Sequence, residues 1–166
     1  MKHFSVFLGI FVALAASRFV PHPPNFTSLI ALSFYVPAIL GLRHLPSVII
    51  SFAITDLIIG YHFGTHWTWG SVLLIGLISI YFRSNIKMRM TGAFIGAVIF
   101  YIVTNFGVWM SGMYPNTLQG LYTCYFLAIP FFGYTLLSTF IFSGIIEIIY
   151  KITTDRIKSF SKIVLK

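Results

Sequence analysis

The chain has 166 residues, 58% of them hydrophobic and 8% charged, with a mean hydropathy of +0.92. Soluble domains carry about 25% charged residues, so this chain cannot clothe a water-facing surface and is expected in a lipid bilayer. Its net charge of +8 comes with no basic run interleaved with stacking aromatics, which points away from nucleic acid. Its one cysteine, Cys124, excludes an internal disulfide and a Cys-based metal cluster.

A membrane helix needs about 20 apolar residues, with a range of roughly 17 to 25. In chain order the spans are expected at residues 4–20, 29–42, 46–63, 71–82, 92–110 and 134–152. The second is short and interrupted by Pro37, and the fourth is also short. Residues 118–132 are apolar too, but Pro130 and Gly133 close that stretch early. It reads as a short helix in the last outer loop, lying on or dipping into the outer face. The expected fold class is therefore all-α: one integral membrane bundle of about six transmembrane helices over residues 1–152. A basic cytoplasmic tail follows at 153–166. No internal repeat and no low-complexity linker interrupts it.

The charges test this count. With the amino terminus inside, the inner set is Lys2, Arg43, Arg83, Lys87, Arg89, Lys151, Arg156, Lys158, Lys162 and Lys166. The outer set is Arg18 alone. The positive-inside rule supports this topology, with both termini cytoplasmic, and the tail after Lys151 reads as an amphipathic segment at the lipid surface. A rival reading makes the first span a cleaved secretory signal, with Ala13-Leu14-Ala15 at the cleavage site. Against it, Gly9, Ala13 and Ser17 fall four apart on one helix face. Such a stripe lets another helix approach closely, and a signal peptide has no need of it.

The polar residues then sort by side. Residues 18–28, RFVPHPPNFTS, form a stiff break: Pro21, Pro23 and Pro24 fix φ and withhold backbone donors. Arg18, His22, Asn25 and Thr27 sit on it. The outer face also collects His62, Thr65, His66, Trp67, Trp69, Tyr114, Asn116 and Gln119. Asp56 and Asn105 lie inside spans, where polar groups are costly and face a partner or a cavity. Arg18 ends the first span at the depth of Asp56, so the two are expected to pair, either as a helix lock or as a pair that also touches ligand. Glu147, near the inner end of the last span, is expected to pair with Arg83, Arg89 or Lys151. Trp67, Trp69, Trp109 and Tyr114 fall at the outer boundary, as an aromatic belt or as walls of a pocket. His62 and His66 have metal-ligand spacing. Gly64 between them and the lack of a nearby carboxylate other than Asp56 argue against a metal site.

Enzyme chemistry finds little support. The three acidic residues, Asp56, Glu147 and Asp155, lie at different depths and cannot jointly hold Mg²⁺. There is no H-E-x-x-H, G-x-S-x-G or P-loop. No cofactor is expected. A proton-coupled carrier built on Asp56 would lack the inverted repeat of such carriers. A channel would need oligomers.

The runs ALAASRFVPHPPNFT, ITDLIIGYH and VTNFGVWMSGMYPNTLQGLYTCYFLAIPFF resemble an uncharacterised family of small bacterial integral membrane proteins, over nearly the whole chain. In span pattern and size that family is similar to the substrate-binding (S) components of energy-coupling factor vitamin transporters. The resemblance implies six helices with an outward pocket under loops. It also implies a small-residue face on the first helix for a transmembrane coupling subunit that works with ATPases. By position, the ligand residues it implies are Arg18, His22, Asn25, Asp56, His62, Asn105, Trp109, Tyr114 and Asn116, to which the outer-face reading adds His66 and Trp67. Gly9 and Ala13 match the partner-helix face. The chain departs from metal-binding members, since Lys2 intervenes before His3, and it lacks the thiamine-type tryptophan motif.

The function expected is non-enzymatic capture of a small water-soluble, vitamin-like molecule at the bacterial inner membrane. Arg18 would hold an anionic or carbonyl group. Cobalamin is one candidate, because His62 or His66 could meet cobalt. The alternative is a scaffold or assembly protein whose outer loops dock a protein partner, with Gly92 and Gly96 supplying a homotypic helix contact. A membrane enzyme is the third reading.

Overall fold

The stretch LIALSFYVPA is apolar on every side, and a helix of that kind belongs inside a bundle. In the structure, a computed structural model describing residues 2–61 and 63–164, it forms most of α2 (Leu29–Leu40). Every residue of that stretch is buried. Around α2 stand α1 (Lys2–Phe19), α3 (Leu45–Ile59), α4 (Thr65–Ile78), α5 (Ile86–Val108), α6 (Leu118–Leu127) and α7 (Ile129–Val164). The described residues thus form seven α-helices and no strand. α2 packs on α4, α5, α7 and α3, whereas α1 packs mainly on α3. Phe34, Tyr35, Leu14, Val48, Val72 and Ile75 centre the core.

Local chemistry sets the element ends. Gly41 takes φ +92°, open to glycine at no steric cost, and its N–H closes α2 on the Pro37 carbonyl at 3.0 Å. A 3₁₀ turn, Leu42–His44, then leads into α3. The Asn85 side chain caps α5 by accepting from the Met88 N–H at 3.0 Å, and Thr117 caps α6 by accepting from the Gly120 N–H at 3.1 Å.

Among the described residues, four segments are long and apolar enough to cross a membrane: Leu42–Ile59, Thr65–Phe82, Ile86–Met113 and Ile129–Ile157. The other two expected spans are shorter apolar helices, Phe4–Phe19 and Leu29–Leu40. Twelve residues of α2 reach about 18 Å, less than the roughly 30 Å hydrocarbon core. α2 is sheathed by protein, so it need not match the bilayer by itself.

Two expectations are corrected. Pro130 does not close the short outer helix. α6 ends at Leu127, and Pro130 sits in the first turn of α7, where a missing N–H is tolerated. α7 continues without a break from Ile129 to Val164, so the basic tail begins as a continuation of that helix. Gly92 and Gly96 are not available for a homotypic contact. A Cβ at Gly92 would meet the Phe34 ring and Phe82, and one at Gly96 would lie 3.1 Å from Ile75. Both glycines admit neighbours within the bundle.

Candidate functional site

The proline-rich segment between α1 and α2 stays out of helix and is fastened at several points. Asn25 adopts φ +63°, a left-handed conformation that Asn tolerates better than most residues. Its carbonyl accepts from Ser138 Oγ at 3.4 Å. The Phe26 ring lies 6.3 Å from that of Phe142, and the Ser28 and Ser17 hydroxyls meet at 2.8 Å. The segment is thereby tied to both α1 and α7.

This placement aims Arg18 at α3. Its Nη2 donates to Asp56 Oδ1 at 2.6 Å. Its Nη1 donates to Thr55 Oγ1 at 2.6 Å and to the Phe52 carbonyl at 3.5 Å, and the guanidinium lies 4.5 Å from the Phe52 ring centre. The second Asp56 oxygen accepts from Trp69 Nε1 at 2.7 Å. The side chains of Arg18 and Asp56 are only 14% and 6% exposed. Among the described residues, Arg18 Nε has no hydrogen bond.

Beside the pair opens a cavity of about 360 Å³, lined by Arg18, His22, Asn25, Asp56, Phe52 and Phe100 among others. A second cavity of about 180 Å³ includes Asn105, Thr104 and Tyr101 in its wall. The two share Asn25, Thr68, Phe100 and Thr135, so they form one cleft. Five of the expected ligand residues, Arg18, His22, Asn25, Asp56 and Asn105, line it. The cleft lies at one end of the bundle, built from the ends of α1, α3 and α5, the starts of α2, α4 and α7 and the loop that carries His22 and Asn25.

The remaining expected residues lie elsewhere. His66 and Trp67 line a separate depression of about 620 Å³ with Phe63, Gly107, Met110 and Met113. The Trp67 ring packs 5.6 Å from Phe106 and directly over Gly107, where a Cβ would enter the indole. Trp109 Nε1 donates to the Pro115 carbonyl at 3.0 Å and fastens the turn after α5. Tyr114 and Asn116 follow on that turn, and neither lines the cleft. His62 lies outside the described residues. On α1, Gly9 and Ala13 are exposed, and a Cβ at Gly9 would meet nothing within 4 Å. Ser17 is turned inward, bonded to Ser28.

Several cleft residues carry no signal in the sequence. Trp69 reads as one more belt aromatic, yet it holds Asp56. Thr68, Thr104 and Thr135 read as ordinary helix hydroxyls. Cys124 is buried, its thiol donating to the Asn105 carbonyl at 3.4 Å. Burial pushes the thiol up from its ordinary value, which disfavours the thiolate and any nucleophilic role.

At the far end of the bundle, Arg89 grips Glu147 with two bonds of 2.6 and 2.7 Å. It also donates to the Arg83 carbonyl at 3.3 Å and lies 5.2 Å from the Tyr150 ring centre. Arg89 is therefore the partner of Glu147 among the three expected. At 1.5 Å per residue it lies about 24 Å along α5 from Asn105, remote from the cleft.

Fold and site together define a helical membrane-type protein with one mixed polar and aromatic cleft at the end away from most of its basic residues. The chain belongs to the family described as a family of unknown function, DUF6580, whose model matches residues 1–160. No curated protein and no solved structure matches it.

Proposed function

We propose that this protein is the membrane-embedded capture subunit of an uptake system for a small water-soluble, vitamin-like molecule. In this reading six helices cross the bacterial inner membrane with both termini in the cytoplasm, and the cleft opens outward. The ten-to-one division of basic residues supports that orientation. The observation that carries the reading is the convergence of Arg18, Asn25, Asp56, Asn105 and Thr135 on one cleft. These residues are far apart in sequence, and two of them, Asp56 and Thr135, are buried polar groups that cost free energy unless partnered.

The cavity volume sits at the lower end of the roughly 300–1,000 Å³ range of ligand pockets. It suits a single small ring or chain and is too small for a corrinoid with its nucleotide. His66, in the separate depression, gives cobalt no route into the cleft. Arg18 and Asp56 brace the mouth, and Phe52 and Phe100 supply apolar faces. The chain carries no P-loop, so active uptake requires a coupling subunit with ATPases. Exposed Gly9 and Ala13 on α1 offer that subunit a close helix approach.

The test is uptake by a deletion strain carrying wild-type protein or Asp56→Asn. Selective loss of uptake of one vitamin-like compound in the deletion and in the variant is expected. Unchanged uptake of every such compound, with a stable polypeptide partner recovered, would favour the scaffold reading. That reading draws on the exposed Met113, Leu118, Tyr122 and Phe126 around the last outer turn.

A further inference from the structure

We infer that the cleft takes an uncharged, hydroxyl-rich molecule rather than an anion, a conclusion that rests on the capture reading above. The first ground is charge. Of the residues lining the two cavities, Arg18 and Asp56 carry the formal charges, and they cancel. A carboxylate entering beside Arg18 would meet the Asp56 carboxylate as its neighbour. It would lose its water for a site with no net positive charge, a cost of several kcal/mol per buried ion in general. An ammonium fares no better, because the Asp56 charge is already balanced by Arg18 and the incoming cation would sit beside the guanidinium.

The second ground is the direction of the hydrogen bonds. Thr68 Oγ1 lies 2.7 Å from the Thr65 carbonyl, Thr104 Oγ1 2.7 Å from the Phe100 carbonyl, and Thr135 Oγ1 3.0 Å from the Phe131 carbonyl. A carbonyl oxygen only accepts, so each hydroxyl donates its one proton into its own helix. What remains to the cleft at each is a lone pair. Asn105 differs: one N–H of its Nδ2 donates to the Tyr101 carbonyl at 2.8 Å, leaving a second N–H and Oδ1 to the cleft. The wall therefore combines acceptors, the threonine oxygens and Asn105 Oδ1, with donors, Arg18 Nε, the Asn25 and Asn105 amides and the Thr27 hydroxyl, whose oxygen accepts from the Leu29 N–H at 3.4 Å. An acceptor-only carboxylate or phosphate answers the donors but leaves the Thr68, Thr104 and Thr135 lone pairs without a partner. A molecule bearing several O–H groups matches it, since each hydroxyl can donate to a threonine and accept from Arg18 or Asn25.

The test uses the full chain in lipid nanodiscs, titrated by calorimetry with pantothenol and pantothenate and with pyridoxine and 4-pyridoxate. Within each pair one hydroxymethyl group becomes a carboxylate on an unchanged skeleton. Any small molecule released by heat from protein purified out of its own host is identified by mass. At least tenfold tighter binding of the hydroxymethyl member, or release of an uncharged polyhydroxyl compound, is expected. Thr104→Val with Thr135→Val should then weaken that binding at least tenfold without lowering the melting temperature. A carboxylate member that binds as tightly as its partner, or a released molecule that is charged or poor in hydroxyls, overturns this inference and leaves the capture reading standing. No probe bound and nothing released overturns both.

Discussion

Trp69 Nε1 donates to Asp56 Oδ2 at 2.7 Å, on the oxygen that Arg18 leaves free. The carboxylate is thus held from α1 and from α4 at once. Trp69→Phe removes the donor and leaves a buried charged oxygen without a partner, at a cost of about 1–3 kcal/mol. Trp67→Phe removes a similar volume but no listener for a carboxylate, because Trp67 packs on Phe106 and Gly107. Thermal unfolding of the two variants in the same detergent should show the larger drop for Trp69→Phe. Equal drops would mean that the indole N–H contributes nothing.

The Arg18–Asp56 contact is expected to be strongly coupled. Removing one partner of a buried pair strands the other, at about 3–5 kcal/mol. Arg18→Met and Asp56→Leu should each be severely destabilised, while the double variant recovers much of the loss. Additive losses in a double-mutant cycle would refute the coupling.

The opposite pair separates stability from binding. Arg89→Met leaves the buried Glu147 without its cation and should cost about 3–5 kcal/mol. At about 24 Å along α5 from Asn105, it should not change affinity for the cleft's occupant. Calorimetry at a temperature where the variant remains folded checks this.

Glycines on α5 and α1 should respond in opposite ways. Gly92→Ala forces a methyl against Phe34, which is fully buried and cannot withdraw. Overpacking of this kind costs about 1–3 kcal/mol. Gly9→Ala meets open space and should stabilise α1 by up to about 1 kcal/mol. A bulkier Gly9→Leu should instead reduce recovery of any coupling subunit with the protein, read by co-purification.

Much of the frame was legible because it follows from composition and period. Apolar runs located the helices, and the depth match of Arg18 with Asp56 located their ion pair. The prolines of residues 20–28 marked the break that aims Arg18. The helix ends were less legible. Pro130 blocks a helix interior but suits a first turn, and the sequence alone does not say which it occupies. Gly92 and Gly96 look the same whether they face a second copy or Phe34 and Ile75. The cleft's threonines and Trp69 were illegible for a different reason. Their roles depend on which side chains of other helices lie opposite, and no local period encodes that. His66 and Trp67 were grouped with Arg18 by side of the membrane, which fixes depth but not position around the bundle.

Two buried hydroxyls on α7, Thr139 and Ser143, have no hydrogen-bond partner among the described residues. With Thr135 and Glu147 they repeat every four residues on one buried face. If the sites are dry, Thr139→Val and Ser143→Ala should be neutral or gain up to about 1 kcal/mol, since an unpaired buried hydroxyl is costly. A loss exceeding that in thermal unfolding would show that ordered water satisfies them.

The most direct measurement is native mass spectrometry of the protein purified from its own host membrane, beside Arg18→Ala and Thr135→Val. A stoichiometric small molecule on the wild type, lost from Arg18→Ala and weakened in the folded Thr135→Val variant, is the predicted result. A wild-type protein that carries no small molecule but retains a second polypeptide would contradict capture and make the cleft end of the bundle a docking surface.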